Sequence, residues 1–217
     1  MLGVIMLDTV FPRFPGDIGN KNTFDFPVKY LVVPGALPKR VVCEADRELV
    51  KPFIEAAKEL ERQGARVIGT SCGFLSLFQN AIAREVKVPF ISSSLLQIPM
   101  VHGIFPFKKV GVLTAHASHL TREHFIEAGA GNTPVVVHGM EGMEEFSRVF
   151  VGNSPEADFE KLKREVEHVA GLFAGEDVGA LVLECTNLPP FEKEIRRASG
   201  LPVFHLNRLI NMVYHSV

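Results

Sequence analysis

The sequence predicts an α/β protein made of two pseudo-symmetric half-domains with parallel sheets and an active-site cleft between them. Three observations predict it. Val178 to Pro190, VGALVLECTNLPP, is an apolar run ending at Glu184 and Cys185 that passes through Thr186-Asn187 into Pro189-Pro190. That is the outline of a buried parallel strand handing a cysteine to a helix N-terminus. Ala65 to Phe74, ARVIGTSCGF, has the same outline, with Thr70-Ser71 before Cys72-Gly73. The spacings also match between halves: Gly3 to Gly111 is 108 residues, while Cys72 to Cys185 and Pro89 to Pro202 are each 113. An internal repeat of this size divides the chain at about 1–100 and 101–217.

In chain order, strand one covers Gly3 to Leu7 and opens into a Pro/Gly-rich loop, Asp8 to Pro27, of the kind that carries ligands at strand C-termini. Strand two is Lys29 to Val33. A helix follows from about Glu44 to Gln63, with a kink or restart expected at Pro52 and closure at Gly64. Strand three is Ala65 to Gly69, then the helical run Leu75 to Arg84, strand four at Val88 to Ser92, and a short helix or crossover at Leu95 to Val101. The pattern restarts with VGVLTA after Lys108-Lys109. Helix Ser118 to Ala128 and strand Pro134 to Val137 follow, then a linker through Gly152-Asn153. Ser154 reads as an N-cap with Pro155 at the first position of a long amphipathic helix to Phe173. After the Cys185 strand come helix Pro190 to Ser199, strand Leu201 to Phe204, and a last helix from about Asn207 that packs back on the first half.

Composition narrows the function. The 217 residues are 47% hydrophobic, with net charge −2 and pI near 6.5. No block of Lys or Arg suggests nucleic acid or an anionic membrane, so the expected partner is a small molecule. Leu2 to Leu7 is too short and lacks the basic flank of a signal peptide, and no stretch approaches a membrane span. Three widely spaced cysteines give neither a disulfide framework nor a zinc spacing, and imply reduced thiols in a cytoplasm.

Two halves facing each other would bring both cysteine loops to one cleft. A thiol at a helix N-terminus is expected to have a lowered pKa and to act as a base. The free amides there, with the hydroxyls of Ser71 and Thr186, suit a carboxylate. One acid-base group on each face of a carboxylate-bearing carbon is what two-base stereoinversion requires, with no electron-sink cofactor.

With its duplicated halves and CTNLP at Cys185 to Pro189, the chain resembles the cofactor-independent aspartate/glutamate racemase superfamily, which includes hydantoin racemases, maleate isomerases and arylmalonate decarboxylases. The resemblance covers essentially the whole chain. It implies two flavodoxin-like halves, Cys185 as one acid-base residue, Thr186 and Asn187 near the substrate carboxylate, Asp8 lining the cleft, Thr114 as the symmetry mate of Asp8, and assembly as a homodimer. Aligned by strand length, Cys72 takes the first catalytic position, with Ser71 and Gly73 as oxyanion donors. Aligned instead on Gly69-Thr70-Ser71, the motif is similar to the glycine-threonine-serine of the decarboxylases, leaving Cys185 alone. The first alignment is preferred because both strands then end at a cysteine.

The expectation is therefore a racemase or epimerase of an acidic amino acid using Cys72 and Cys185, with Asp8, Thr70, Ser71, Gly73, Thr114, Thr186 and Asn187 around the substrate and no cofactor or metal. Alternatives are a decarboxylase or cis-trans isomerase of a malonate- or maleate-like diacid using Cys185 alone, and a non-catalytic carboxylate binder. Arg13, Lys39 and Arg40 are candidates for a second substrate carboxylate. Cys43 has no symmetry mate and reads as structural. His116 and His119 read as a solvated helix start rather than metal ligands, and His205 as a residue within possible reach of the cleft. GDIGN reads as a turn, and the absence of GxSxG removes the usual serine-hydrolase reading.

Overall fold

A computed structural model of the chain describes every residue except Phe107. Two four-stranded parallel sheets carry the fold. The first contains β1 (Leu2–Met6), β2 (Val28–Val32), β3 (Val67–Thr70) and β4 (Phe90–Ile91) in the order β2-β1-β3-β4. The second contains β5 (Lys109–Thr114), β6 (Val135–Gly139), β7 (Val178–Leu183) and β8 (Val203–His205) in the order β6-β5-β7-β8. Each order is that of a flavodoxin-like sheet. Its central pair, β1 with β3 or β5 with β7, is fully buried apart from Lys109 and Gly179, as expected when helices cover both faces. At Gly111 a Cβ would come within 2.4 Å of the Leu181 side chain, and at Gly3 within 3.1 Å of Leu60, so glycine lets the neighbouring side chains close over both central strands.

Several boundaries move for identifiable reasons. Pro52 causes no kink, because the helix is Val50–Arg62 and places Pro52 in its first turn, where the N–H groups are free of the helix ladder anyway. The long helix of the second half begins at Phe159, not at Pro155. Its cap is Asp158, which accepts a hydrogen bond from the Lys161 N–H. The expected linker before Asn153 is instead helical, with a short turn Glu144–Phe146 and one π turn Ser147–Val151 that buries Val149 and Phe150.

The helix Leu206–Tyr214 crosses to the first sheet, where Leu206 and Ile210 join Leu2, Val4, Val67 and Ile91. More bonds tie the halves. Ser94 donates to the Leu183 carbonyl at 2.6 Å, and Asn207 donates to the Gly16 carbonyl at 2.7 Å. The C-terminal ends of β1, β3, β5 and β7 consequently face one another, so the strand-order switch points of both sheets open onto one cleft.

Candidate active site

The cleft, a narrow cavity, is walled by Leu7 and Phe11 after β1, Ser71 to Phe74 after β3, Ala115 after β5, and Glu184 to Asn187 after β7. Pro38, Val42, Phe150 and Val151 close the rim. Its walls are chiefly apolar, and Phe11 meets Phe150 edge-to-face at 5.1 Å across the halves. The loop that carries Phe11 is fastened by Asn153, whose Oδ1 accepts the Val10 N–H at 2.8 Å.

Cys72 and Cys185 both reach this cavity, so the structure brings together the two cysteines that the repeat singled out. Their ionisation runs opposite to the expectation. No α-helix starts at either sulfur: a 3₁₀ helix, Gly73–Phe78, follows Cys72, and a turn leads from Cys185 to the 3₁₀ helix Pro189–Phe191. Burial, reinforced by the nearby Glu184 carboxyl, pushes the Cys72 thiol up to about 12 and that of Cys185 well above its ordinary value. At Cys72 the Phe74 and Leu75 N–H groups and the positive charge of Arg13 offset part of the burial, and at Cys185 the Asn187 N–H does so. The Cys185 thiol donates to Asn187 Oδ1 at 3.5 Å. Asn187 is held in turn through its Nδ2, which donates to Asp17 Oδ2 at 2.6 Å, and Asp17 pairs with Arg13 at 3.0 Å.

The two loops interlock by pseudo-symmetry. Ser71 and Glu184 precede the two cysteines. The Ser71 hydroxyl accepts the Leu7 N–H at 2.9 Å, and the Glu184 carboxyl accepts the Thr114 hydroxyl at 2.7 Å and the Ala115 N–H. Gly73 and Thr186 follow the cysteines. Thr186 donates to the Ser71 carbonyl at 2.6 Å, whereas a Cβ on Gly73 would lie 2.2 Å from the Glu184 carbonyl oxygen.

Of the expected substrate contacts, Ser71, Gly73, Thr186 and Asn187 line the cavity. Three do not. Asp8 accepts the Gly35 N–H at 2.9 Å and so joins the loops after β1 and β2. Thr70 donates to the Ser92 carbonyl at 2.6 Å, and Thr114 spends its hydroxyl on Glu184. The Thr186 hydroxyl, although at the cavity, is likewise engaged by Ser71. Arg13 stacks over Phe11 and bonds to Asp17 and Thr9, and Arg40 bonds to Asp46 and the Gly35 carbonyl, so neither is free for a second carboxylate. Lys39 lies with Cys43 and His116 along a separate surface groove. His205 contacts Glu192 and Arg208 instead of the cleft. His116 and His119 pack edge-to-face, and the described residues contain no cluster suited to a metal ion.

The sequence pattern alone assigns Glu184 no role. The signal was visible as an acidic residue at the end of an otherwise apolar strand. Asp17 and the aromatic wall of Phe11, Phe74 and Phe150 come from separate segments, and only folding gathers them.

No family model matches the chain. It is 32% identical over 215 residues to a dimethylsulfoniopropionate lyase of Durusdinium sp. clade D, covering 94% of this chain and 70% of the relative. Dimethylsulfoniopropionate lyase 3 of Emiliania huxleyi (strain CCMP1516) is 33% identical over 217 residues, with 94% of this chain and 56% of the relative covered. Against the Emiliania relative, then, the chain spans little more than half the length. Among solved structures, an aspartate racemase homologue from Pyrococcus horikoshii OT3 superposes with TM-score 0.58 at 20% identity, covering 98% of both chains. Glutamate racemase from Aquifex pyrophilus gives 0.59 at 18% identity, covering 100% of this chain and 83% of the other. An arylmalonate decarboxylase variant gives 0.58 at 17% identity, covering 94% and 87%. The fold is therefore that of the racemase superfamily, as the resemblance implied. The expected activity is not: relatives about a third identical to this chain over the aligned stretch are named lyases, which overturns the assignment as an amino-acid racemase or other isomerase. The chain belongs to the family of the dimethylsulfoniopropionate lyases.

Proposed function

We propose that this protein is a lyase that splits dimethylsulfoniopropionate into dimethyl sulfide and acrylate. The observation that carries the reading is the pair of thiols on facing loops of a largely apolar cleft, in a chain related to lyases of that name. The substrate has an acidic hydrogen on the carbon next to its carboxylate and a sulfonium leaving group on the following carbon. One cysteine thiolate removes the α-proton. The C–H electron pair becomes the new C=C bond, the C–S bond breaks, and the sulfur leaves as neutral dimethyl sulfide with that bond's electrons. The thiol then returns its proton to solvent. Elimination needs one base, and Cys72, with its two N–H donors and nearby Arg13, is the better placed for it.

N–H groups of the cysteine loops and the Asn187 side chain support the substrate carboxylate as it takes on enediolate character. Burial and the Glu184 carboxyl disfavour the thiolate at both cysteines, so the base is generated as substrate binds. Three free cysteines support a reducing, cytoplasmic location, and the described residues include no helix long and apolar enough to cross a membrane. Assembly as a homodimer belongs to the same reading. Headspace detection of dimethyl sulfide above a solution of the substrate tests it: release by the wild type and its loss in Cys72→Ser are expected, and no release by the folded wild type contradicts it.

A further inference from the structure

We infer that the Oε1 oxygen of Glu184, set between the two cysteine loops, is the group that selects a substrate carrying an onium cation. This inference rests on the lyase reading above. Glu184 is fully buried, and its Oε2 is fixed by the Thr114 hydroxyl. Oε1 has no hydrogen-bond partner and lies against Gly73, where a Cβ would approach it to 2.3 Å. Both residues belong to the cavity wall.

The other carboxyl near the cleft is already committed. Asp17 Oδ1 accepts from Arg13 and the Gly19 N–H, and its Oδ2 accepts from Asn187. Among the described residues, no cationic side chain bonds to Glu184. Its charged form is thus buried without a counter-ion, and burial lifts the carboxyl to about 7. A cation entering this cavity meets the faces or edges of Phe11, Phe74 and Phe150, which favour a positive methyl-bearing centre, and one carboxylate oxygen with nothing else to bind. A dicarboxylate entering the same space meets repulsion instead.

The cation also acts on the base. Ionised Glu184 opposes thiolate formation at both cysteines, so a positive charge placed beside it offsets that penalty in the presence of the correct substrate. The other ionisable side chains in the cavity wall are the two thiols. Both thiols are raised above their ordinary range, so within this wall Glu184 is the group whose charge changes between pH 6 and 8.

The test is calorimetric binding of the zwitterion 3-(trimethylammonio)propanoate and of 4,4-dimethylpentanoate, the carboxylate isostere whose quaternary carbon carries no positive charge. At pH 8 the wild type is expected to bind the cation at least about tenfold more tightly than the isostere. Glu184→Gln, which keeps an acceptor for Thr114, should bring the two within about twofold. In the wild type the preference should shrink at pH 6, where Glu184 takes up a proton, and this arm decides the matter should the variant not fold. An undiminished preference in the variant or at pH 6, no preference in the wild type, or no cation binding at millimolar concentration overturns the inference. A Glu184-dependent preference in a protein that does not cleave dimethylsulfoniopropionate removes the lyase reading alone. Cleavage without the preference removes the onium site alone.

Discussion

Thr186 donates its hydroxyl hydrogen to the backbone carbonyl oxygen of Ser71 at 2.6 Å, a bond that joins residues 115 positions apart and locks one cysteine loop onto the other. Its pseudo-symmetric counterpart is a contact without a hydrogen bond, Gly73 against the carbonyl of Glu184. Between them these contacts set how closely Cys72 and Cys185 face each other.

Gly73→Ala should push the loops apart. The added methyl meets the Glu184 carbonyl at 2.2 Å, and relieving an overlap of that size in a packed site costs about 1–3 kcal/mol. A lower denaturation midpoint together with a large loss of turnover is expected; a variant with wild-type stability and rate contradicts the interlock.

Substitution of either cysteine by serine keeps the shape of the wall and removes the sulfur that the elimination would use as its base. Loss of a positioned general base costs roughly 10²–10⁴ in rate, and Cys72→Ser should show at least that. Cys185→Ser should be impaired through the altered bond to Asn187. Comparison of kcat in the two variants checks the assignment, and undiminished turnover by Cys72→Ser removes Cys72 as the base.

Glu184 gives stability a definite pH dependence. Its folded pKa of about 7 lies above the ordinary 4.5, so between those values the folded chain keeps a proton that the unfolded chain has lost. Stability therefore falls as pH rises through that window, by on the order of 3 kcal/mol, and levels off above it. Denaturant titrations across the window should show this slope in the wild type and its reduction in Glu184→Gln.

Asn153 sits in the left-handed backbone region, with φ of 59°, and presents its side chain to the Val10 N–H. Asn153→Ala removes that fastening and strains the turn. Amide exchange at Val10 should accelerate by about tenfold or more, since an exposed loop bond of this kind closes against little else.

Much of this was legible in the sequence because it depends on local pattern. Apolar runs with a cysteine at the end marked β3 and β7, and equal spacings revealed the repeat. The ionisation of the cysteines was not legible, since it depends on how deeply two distant loops bury each other and on Glu184 between them. Asp8, Thr70 and Thr114 stood at the right strand ends yet serve neighbouring backbone or side-chain groups, a choice of partner that spacing cannot encode. The expected activity is overturned for a related reason: removal of an α-proton is common to racemisation and elimination, and what separates them is the group on the substrate's next carbon, which no local sequence pattern specifies.

The most direct measurement is a proton NMR time course of dimethylsulfoniopropionate with the wild-type protein in deuterated water. Acrylate and dimethyl sulfide appearing in equal amounts, at a rate that Cys72→Ser loses, is the predicted result. Exchange of the α-hydrogens for deuterium without acrylate, or an unchanged spectrum with folded protein, would contradict the account.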